Sequence, residues 1–376
     1  MRQLRIISKI RETTDTFSFV LEPVDGKLYS YLSGQFLSIV TESHGLEQRR
    51  AYSFSSSPLT DALPIITVKR ISNGALSGWL FDHAREGDLL TVTEAAGRFL
   101  LPKPLPKTLF YIAAGSGITP VMSHIKTLLK QAESPKIVLF YANRDAASTI
   151  FKTQIDQWIA EYAERLQVTY FFSRERNAVH AVFRHLNNEL LEQQIRAYFG
   201  GRISAAVHRQ TAFFLCAPLP LVRMAEMTLR VLDFPVKNIH KELFQADARQ
   251  KQRTVDTSKT HRVRVEHLGQ VLEFQTFEGE TILNAALRQG ISLPYSCKSG
   301  VCFSCLLQCT QGAVDVEFTE SVRREGPGGS VNTCIGYAVT EQIGLRGGIS
   351  NIEQMNIEYR TGRCVWYFRL FNGISN

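Results

Sequence analysis

The stretch YSCKSGVCFSC, residues 295–305, sets three cysteines, Cys297, Cys302 and Cys305, on one short segment, and Cys334 follows as a remote fourth. The pattern C-x4-C-x2-C with a distant fourth cysteine is a spacing in which four thiolates hold a [2Fe–2S] cluster. Three ligands on one loop wrap the cluster, and the fourth closes the cage. Such a loop needs small residues, because backbone amides must approach the sulfides. Ser299 and Gly300 meet that need, and Gly300 can take a positive φ. The competing readings are a zinc ribbon or unpaired buried thiols. Zinc ribbons use two C-x2–4-C pairs, and only one C-x2-C occurs here, so the iron–sulfur reading is the stronger.

The remaining cysteines are Cys216, Cys309 and Cys364, giving an odd total of seven. Cys309 is expected to pack on the strand after the loop, and Cys364 has no assigned role. The N-terminal MRQLRIISKIRETTDTF has no long apolar run, so no secretory signal is expected. No run of apolar residues is long enough to span a membrane. These features predict a cytoplasmic protein, in which clustered cysteines serve metal or redox chemistry rather than disulfides.

The chain has 376 residues, more than one ordinary domain needs, and a net charge of +8. Residues 1–244 carry a basic excess and residues 265–345 an acidic one. No nucleic-acid-binding motif accompanies the positive charge. It reads as solvated faces, with a docking patch for an acidic partner or anionic cofactor as the sharper alternative.

Three textures succeed one another along the chain. Residues 1–103 contain short strands such as TFSFVL, GQFLSIV and ITVKRIS with Gly and Pro between them, which predicts a small antiparallel β-barrel. The Pro-rich LPKPLPK (101–107) marks a boundary. Residues 104–244 alternate buried strands (TLFYIAAG, KIVLFYANR, QVTYFFSRE, TAFFLCAP) with helical segments, as in a parallel sheet covered on both faces. Residues 245–260, QADARQKQRTVDTSKT, have almost no large apolar residue and read as a linker. Residues 261–345 show a hairpin and a short helix closed by Gly290, an α+β (β-grasp) unit carrying the cysteines. Residues 346–376 are an unassigned tail.

Two further stretches carry chemistry. In RRAYSFSSSP (49–58), Arg50, Tyr52 and Ser53 could set a cation against a diphosphate, a ring on a flavin and a hydroxyl at the flavin edge. In NGALSGWL (73–80), Gly74 and Ser77 precede a helix whose N-terminus is a natural diphosphate seat. In AAGSGITPVMS (113–123), Gly115 and Gly117 fall between strand and helix; a structural glycine turn is the plain reading and a nucleotide loop the functional one.

Taken together, GQF, R-x-Y-S, G-x-x-S, EAAGRF, GSGITP, YANR, SRE, FLCAP and IHKELF stand in the order of the ferredoxin–NADP reductase superfamily, and TILNAALRQGISLPYSCKSGVCFSC resembles plant-type ferredoxin domains. Residues 1–345 resemble reductase components of multicomponent oxygenases, those of phenylacetyl-CoA epoxidases among them. The resemblance implies an NAD(P)H-dependent oxidoreductase with FAD, NAD(P)H and a [2Fe–2S] cluster, passing electrons to an oxygenase. It implies catalytic positions at Tyr52, Ser53 and Cys216. It implies cofactor binding at Arg50, Tyr52, Ser53, Gly74, Ser77, Gly115, Gly117, Thr119, Ser173 and Arg174, and metal binding at Cys297, Cys302, Cys305 and Cys334. The G-x-x-S turn favours FAD over FMN. Ser173 and Arg174 match a 2′-phosphate pair and favour NADPH, although NADH users also carry this pair. Electron delivery to a hybrid-cluster-type protein is an alternative, as is a flavin-binding redox sensor of low turnover. Four departures stand out: Ser33 where the family has Pro, Ala217 where it has Gly, the bulky Phe303 inside the cluster loop, and the run Gly326-Pro327-Gly328-Gly329 before the last ligand.

Overall fold

Broken alternation of buried and exposed residues along the N-terminal strands makes a sheet with one dry face. It comprises β1 (Arg2–Thr13), β2 (Thr16–Pro23), β3 (Phe36–Ser43), β4 (Leu46–Ser53), β5 (Ile65–Lys69) and, after helix α1 (Ala75–Asp82), β6 (Leu89–Val92). The strands pair antiparallel in the order β4-β3-β6-β1-β2-β5. A bridge between Phe54 and Ile66 joins the two ends of that order and closes a barrel. Leu4, Ile6, Phe19, Leu21, Leu37 and Ile39 are buried in its interior. The computed structural model describes residues 1–347 other than 44–45, 73, 133–134, 177–180, 245–252, 268, 296–297, 299, 301–303 and 319–320.

The second sheet is built from continuous apolar runs, as strands buried on both faces require. It contains β7 (Thr108–Ala114), β8 (Lys136–Asn143), β9 (Leu166–Phe172), β10 (Ala181–Phe183), β11 (Thr211–Cys216) and β12 (Ile239–Glu242). All pair parallel in the order β10-β9-β8-β7-β11-β12. Tyr111, Ala113 and Phe214 pack on the side of α2 (Ile118–Lys130) and α3 (Lys152–Glu161). Phe110, Ile112 and Phe213 pack on the side of α4 (Asn188–Tyr198) and α6 (Leu219–Val231); the short α5 (Ala205–Arg209) lies between those two in sequence. The chain runs outward from β7 to β10 and then returns to β11 on the other flank of β7. That reversal leaves a crevice at the C-terminal ends of β7 and β11, where open α/β sheets bind ligands.

The third region holds β13 (Asp256–His267), β14 (Gln270–Glu278), α7 (Ile282–Arg288), β15 (Leu306–Gln311), β16 (Val314–Phe318), β17 (Ser321–Glu325), β18 (Ser330–Asn332), β19 (Gly336–Ala338) and β20 (Gln342–Arg346). Five strands form a mixed sheet, β14-β13-β20-β15-β18, in which only the β13–β20 pair is parallel. The other three form a small sheet, β17-β16-β19. Helix α7 is capped by Thr281, whose hydroxyl accepts from the Asn284 N–H at 3.3 Å, and it buries Ile282, Leu283, Ala285 and Ala286. The molecule thus has an antiparallel flavin-type barrel, a parallel-sheet α/β region and an α+β ferredoxin-type region.

Contacts group the chain into two units. One is Met1–Gln250 together with Pro294–Cys305, and the other is Lys251–Leu293 together with the residues from Leu306 onward. The division expected at 103/104 therefore falls inside the first unit. The stretch assigned to a linker, 245–260, also differs at its end, because β13 begins at Asp256. Thr257, Ser258, Lys259 and Thr260 are exposed strand residues, so their polarity imitates a linker. The Gly326–Gly329 run does not interrupt the sheet. The Gly328 N–H donates to the Cys309 carbonyl and the Cys309 N–H to the Gly329 carbonyl, both at 2.8 Å, which extends the β15–β18 ladder. Phe303 and Cys364 lie outside the described residues.

Candidate functional site

The C-terminal edge of the parallel sheet gathers the residues read as a nucleotide site. After β7 the chain makes a single 3₁₀ turn, Gly115–Gly117, and enters α2. The Tyr141 hydroxyl donates to the Gly115 carbonyl at 3.0 Å, and the Thr119 hydroxyl to the Ser116 carbonyl at 3.0 Å, which fixes the loop. A Cβ on Gly117 would stand 1.9 Å from the Cys216 carbonyl oxygen, so the loop and the end of β11 meet only because this residue is glycine. Ser173 and Arg174 follow β9 at the same edge. Their N–H groups donate to the carbonyls of Asn143 (3.1 Å) and Arg144 (2.8 Å), and the Arg174 side chain is exposed.

The register of β11 and β12 sets Cys216 beside Glu242, and β4 brings in a third group. The buried Ser53 hydroxyl donates to Glu242 Oε2 at 3.2 Å. Burial raises the Glu242 carboxyl to about 8, with the Ser53 hydroxyl opposing the rise. Burial also pushes the Cys216 thiol well above its ordinary value, and the neighbouring Glu242 adds to this. Near neutral pH the carboxyl and the thiol are therefore both mainly protonated and uncharged. The crevice is a neutral proton-holding site where the barrel meets the parallel sheet.

That meeting is dry and hydroxyl-rich. Ser57 and Thr127 hydroxyls bond at 2.7 Å, Ser33 bonds to the same Thr127 hydroxyl, and the Ser123 hydroxyl donates to the Ser56 carbonyl at 2.5 Å. Ser33 in place of the family's Pro thus acquires a partner on α2. His124, fully buried, is driven by desolvation to about 3 and stays neutral. Its Nε2 lies 2.9 Å from the Phe99 carbonyl and 3.2 Å from that of Ser33, so the neutral ring donates there. Of the other predicted residues, Tyr52 is half-buried, with its phenol pushed up by burial, and pairs with Leu37 across β3. Arg50 is exposed and donates to the Arg49 carbonyl at 2.9 Å.

At α1, a Cβ on Gly74 would stand 2.4 Å from Ser77 Oγ and from Ile71 Cγ1. The Ser77 hydroxyl donates to the Gly74 carbonyl at 3.2 Å, so it is engaged within the turn. A cleft of about 770 Å³ runs past this turn, lined by Arg70, Ile71, Gly74, Gly78, Trp79 and His83 among others. Its size suits a dinucleotide, and the carboxylates on its rim are paired, Asp82 with Arg70 at 2.9 Å and Asp15 with Lys69 at 3.4 Å.

The cysteine set is partly visible. Cys297 and Cys302 lie outside the described residues. Cys305 and Cys334 are buried, 1% and 7% exposed, and neither forms a disulfide with another described cysteine. Antiparallel pairing of Leu306 with Asn332 brings the residue before β15 and the residues after β18 to the same end of one ladder. The Ser304 hydroxyl, buried next to Cys305 in sequence, has no hydrogen-bond partner among the described residues. Gly300 has φ +76°. Two buried thiols and an orphaned donor beside one of them fit a cluster that brings acceptor sulfides. Glu242 stands in the IHKELF stretch; its pairing with Cys216 and Ser53 depends on strand register and is not visible in the sequence. Arg49 stands one residue before R-x-Y-S and carries no signal of its own in the sequence.

Three family models match the chain: an oxidoreductase FAD-binding domain over residues 3–100, an oxidoreductase NAD-binding domain over 111–227, and a 2Fe-2S iron-sulfur cluster binding domain over 265–339. The chain is 32% identical to the ferredoxin reductase component of 3-ketosteroid-9-alpha-monooxygenase from Rhodococcus rhodochrous, over 90% of this chain and 95% of that protein. It is 31% identical to a subunit of 1,2-phenylacetyl-CoA epoxidase from Escherichia coli, over 88% and 93%. The solved structure of phthalate dioxygenase reductase shares the fold, with TM-score 0.57 at 24% identity over 92% of this chain and 97% of that one. No helix among the described residues is long and apolar enough to cross a membrane. The chain belongs to the ferredoxin–NADP reductase superfamily, as an oxidoreductase that joins an FAD-binding, an NAD-binding and a 2Fe-2S domain in one polypeptide.

Proposed function

We propose that this protein is a cytoplasmic reductase that takes electrons from reduced nicotinamide dinucleotide and delivers them, one at a time, to a partner oxygenase. The balanced reaction consumes one NAD(P)H and two oxidised one-electron acceptors, and yields NAD(P)⁺, two reduced acceptors and one proton. When bound, FAD accepts the electron pair as hydride and releases single electrons, which the [2Fe–2S] cluster carries onward.

The observation that carries this reading is the convergence of Ser53, Glu242, Cys216 and Gly117 at the sheet's switch point, where the barrel's flavin strand meets the nucleotide loop. Here Ser53 and Tyr52 would orient the flavin edge, and Arg50, Gly74 and Ser77 would hold its diphosphate. Gly115, Gly117 and Thr119 would seat the nicotinamide half, with Cys216 beside its reacting carbon. Ser173 and Arg174, at the far end of the same edge, would take the 2′-phosphate of NADPH. Glu242 would hold a proton by the reacting atoms while remaining uncharged. Cys297, Cys302, Cys305 and Cys334 would ligate the iron. The oxygenase partner is supported by the relatives, which are reductase components or subunits of a monooxygenase and an epoxidase.

The test mixes purified protein with NADH or NADPH and cytochrome c, then with oxygenase components of the two relatives' classes. Rapid cytochrome c reduction, and product formation with one oxygenase, are expected. Reduction of cytochrome c with neither nucleotide would refute the reading.

A further inference from the structure

Strand β4 makes a second contact that the flavin reading does not use. Arg49 donates from a guanidinium nitrogen to the Tyr295 carbonyl at 3.0 Å, and its guanidinium carbon stands 4.0 Å from the centroid of the Tyr295 ring. Lys298 Nζ is a second cation near that ring, at 4.9 Å. Tyr295 is buried, and Pro294–Cys305 belongs to the same compact unit as β4. This loop carries three of the four cluster cysteines. Arginine suits the contact because its planar guanidinium can stack on a ring and donate sideways at once, which lysine cannot do.

Side chains alternate along a strand, so Arg49 and Ser53 share one face of β4 and stand about 13 Å apart along it. The Ser53 end meets Glu242, which pairs with Cys216 on the nicotinamide side, and the Arg49 end meets Tyr295 at the start of the cysteine segment. One short strand therefore contacts both the residues assigned above to electron entry and the start of the segment that carries the cysteines.

We propose that Arg49 is a positioning residue for the electron-exit step, acting through Tyr295 to hold the cysteine loop at a fixed place on the flavin strand. The proposal rests on the electron path given above. Arg49 touches no reacting atom in it, and hydride uptake does not depend on it.

The experiment uses full-length holoprotein: wild type, Arg49→Ala, Arg49→Lys, Tyr295→Leu and the double variant Arg49→Ala/Tyr295→Leu. Ferricyanide, which takes electrons from the flavin directly, reads entry, and cytochrome c reads exit. Hydrogen exchange of the peptide covering 294–305 reads the loop itself without turnover. Arg49→Ala should lower cytochrome c reduction and speed loop exchange, each by at least about tenfold, the low end of what losing one charged hydrogen bond alone gives. Ferricyanide reduction and the visible absorbance of the cluster should stay within about twofold of wild type. Arg49→Lys should fall in between, Tyr295→Leu should retain part of the effect through the remaining carbonyl, and the double variant should lose no more than Arg49→Ala alone.

Unchanged exchange or unchanged cytochrome c reduction in Arg49→Ala overturns the proposal. So do fully additive single variants, or loss of the cluster absorbance in both Arg49→Ala and Tyr295→Leu, which would show a role in assembly instead. A wild-type protein inactive with cytochrome c would sink the electron path itself, which separates that failure from the failure of the clamp.

Discussion

Replacing Glu242 by glutamine keeps the shape of the crevice and removes its titrating proton. The carboxyl is buried and its folded-state value is raised from 4.5 to about 8. In the unfolded chain it ionises near its ordinary value. Stability linked to it is therefore complete below about pH 4.5, and it is lost as pH climbs toward 8, where the folded chain still holds the proton that the unfolded chain has released. Each unit of the shift is worth about 1.4 kcal/mol, so wild type should lose about 3–4 kcal/mol relative to Glu242→Gln between about pH 5 and pH 8. The assay is urea unfolding of both proteins, freed of flavin, at several pH values across that window, with the two curves subtracted so that other titrating groups cancel. Glutamine should be the more stable at pH 8, and its advantage should shrink steadily toward pH 5. A difference constant to within about 0.5 kcal/mol across the window would refute the picture of a buried, proton-holding Glu242.

Gly117→Ala should force the turn and the end of β11 apart, because its Cβ would meet the Cys216 carbonyl at 1.9 Å; a cost of about 1–3 kcal/mol is expected, read as a raised KM for the nucleotide, and an unchanged KM would contradict it. Arg174→Ala should raise KM for NADPH about tenfold while leaving that for NADH nearly unchanged, and equal rises would place the 2′-phosphate elsewhere. Cys305→Ser should abolish the cluster's visible absorbance and cytochrome c reduction but spare ferricyanide reduction; a retained cluster spectrum would remove Cys305 from the ligand set.

Much of the architecture could be read from local pattern. Continuous apolar runs such as TLFYIAA announced strands buried on both faces, and Gly290 marked the end of a helix that the structure places at Ile282–Arg288. The cysteine spacing named a cofactor because ligand geometry is written into so few residues. Legibility ended where tertiary pairing begins. Asp256–Thr260 is strand, yet its side chains face water and carry no apolar alternation. The Ser33–Thr127–Ser57 hydroxyl group joins residues far apart in sequence, each ordinary alone. Glu242 acquires its raised pKa through burial, which no local pattern announces, and strand register sets it beside Cys216. Arg49 differs from its neighbour Arg50 only in which face of β4 it occupies.

The central claim is that two-electron and one-electron carriers share this chain. Its most direct test is an anaerobic titration with reduced nicotinamide on protein whose iron and acid-labile sulfide have been counted. About two irons and two sulfides per chain are predicted, with flavin and cluster absorbance both bleached after about one and a half equivalents of nucleotide, the amount that supplies two electrons to the flavin and one to the cluster. Bleaching complete at one equivalent, in protein without iron, would contradict the account.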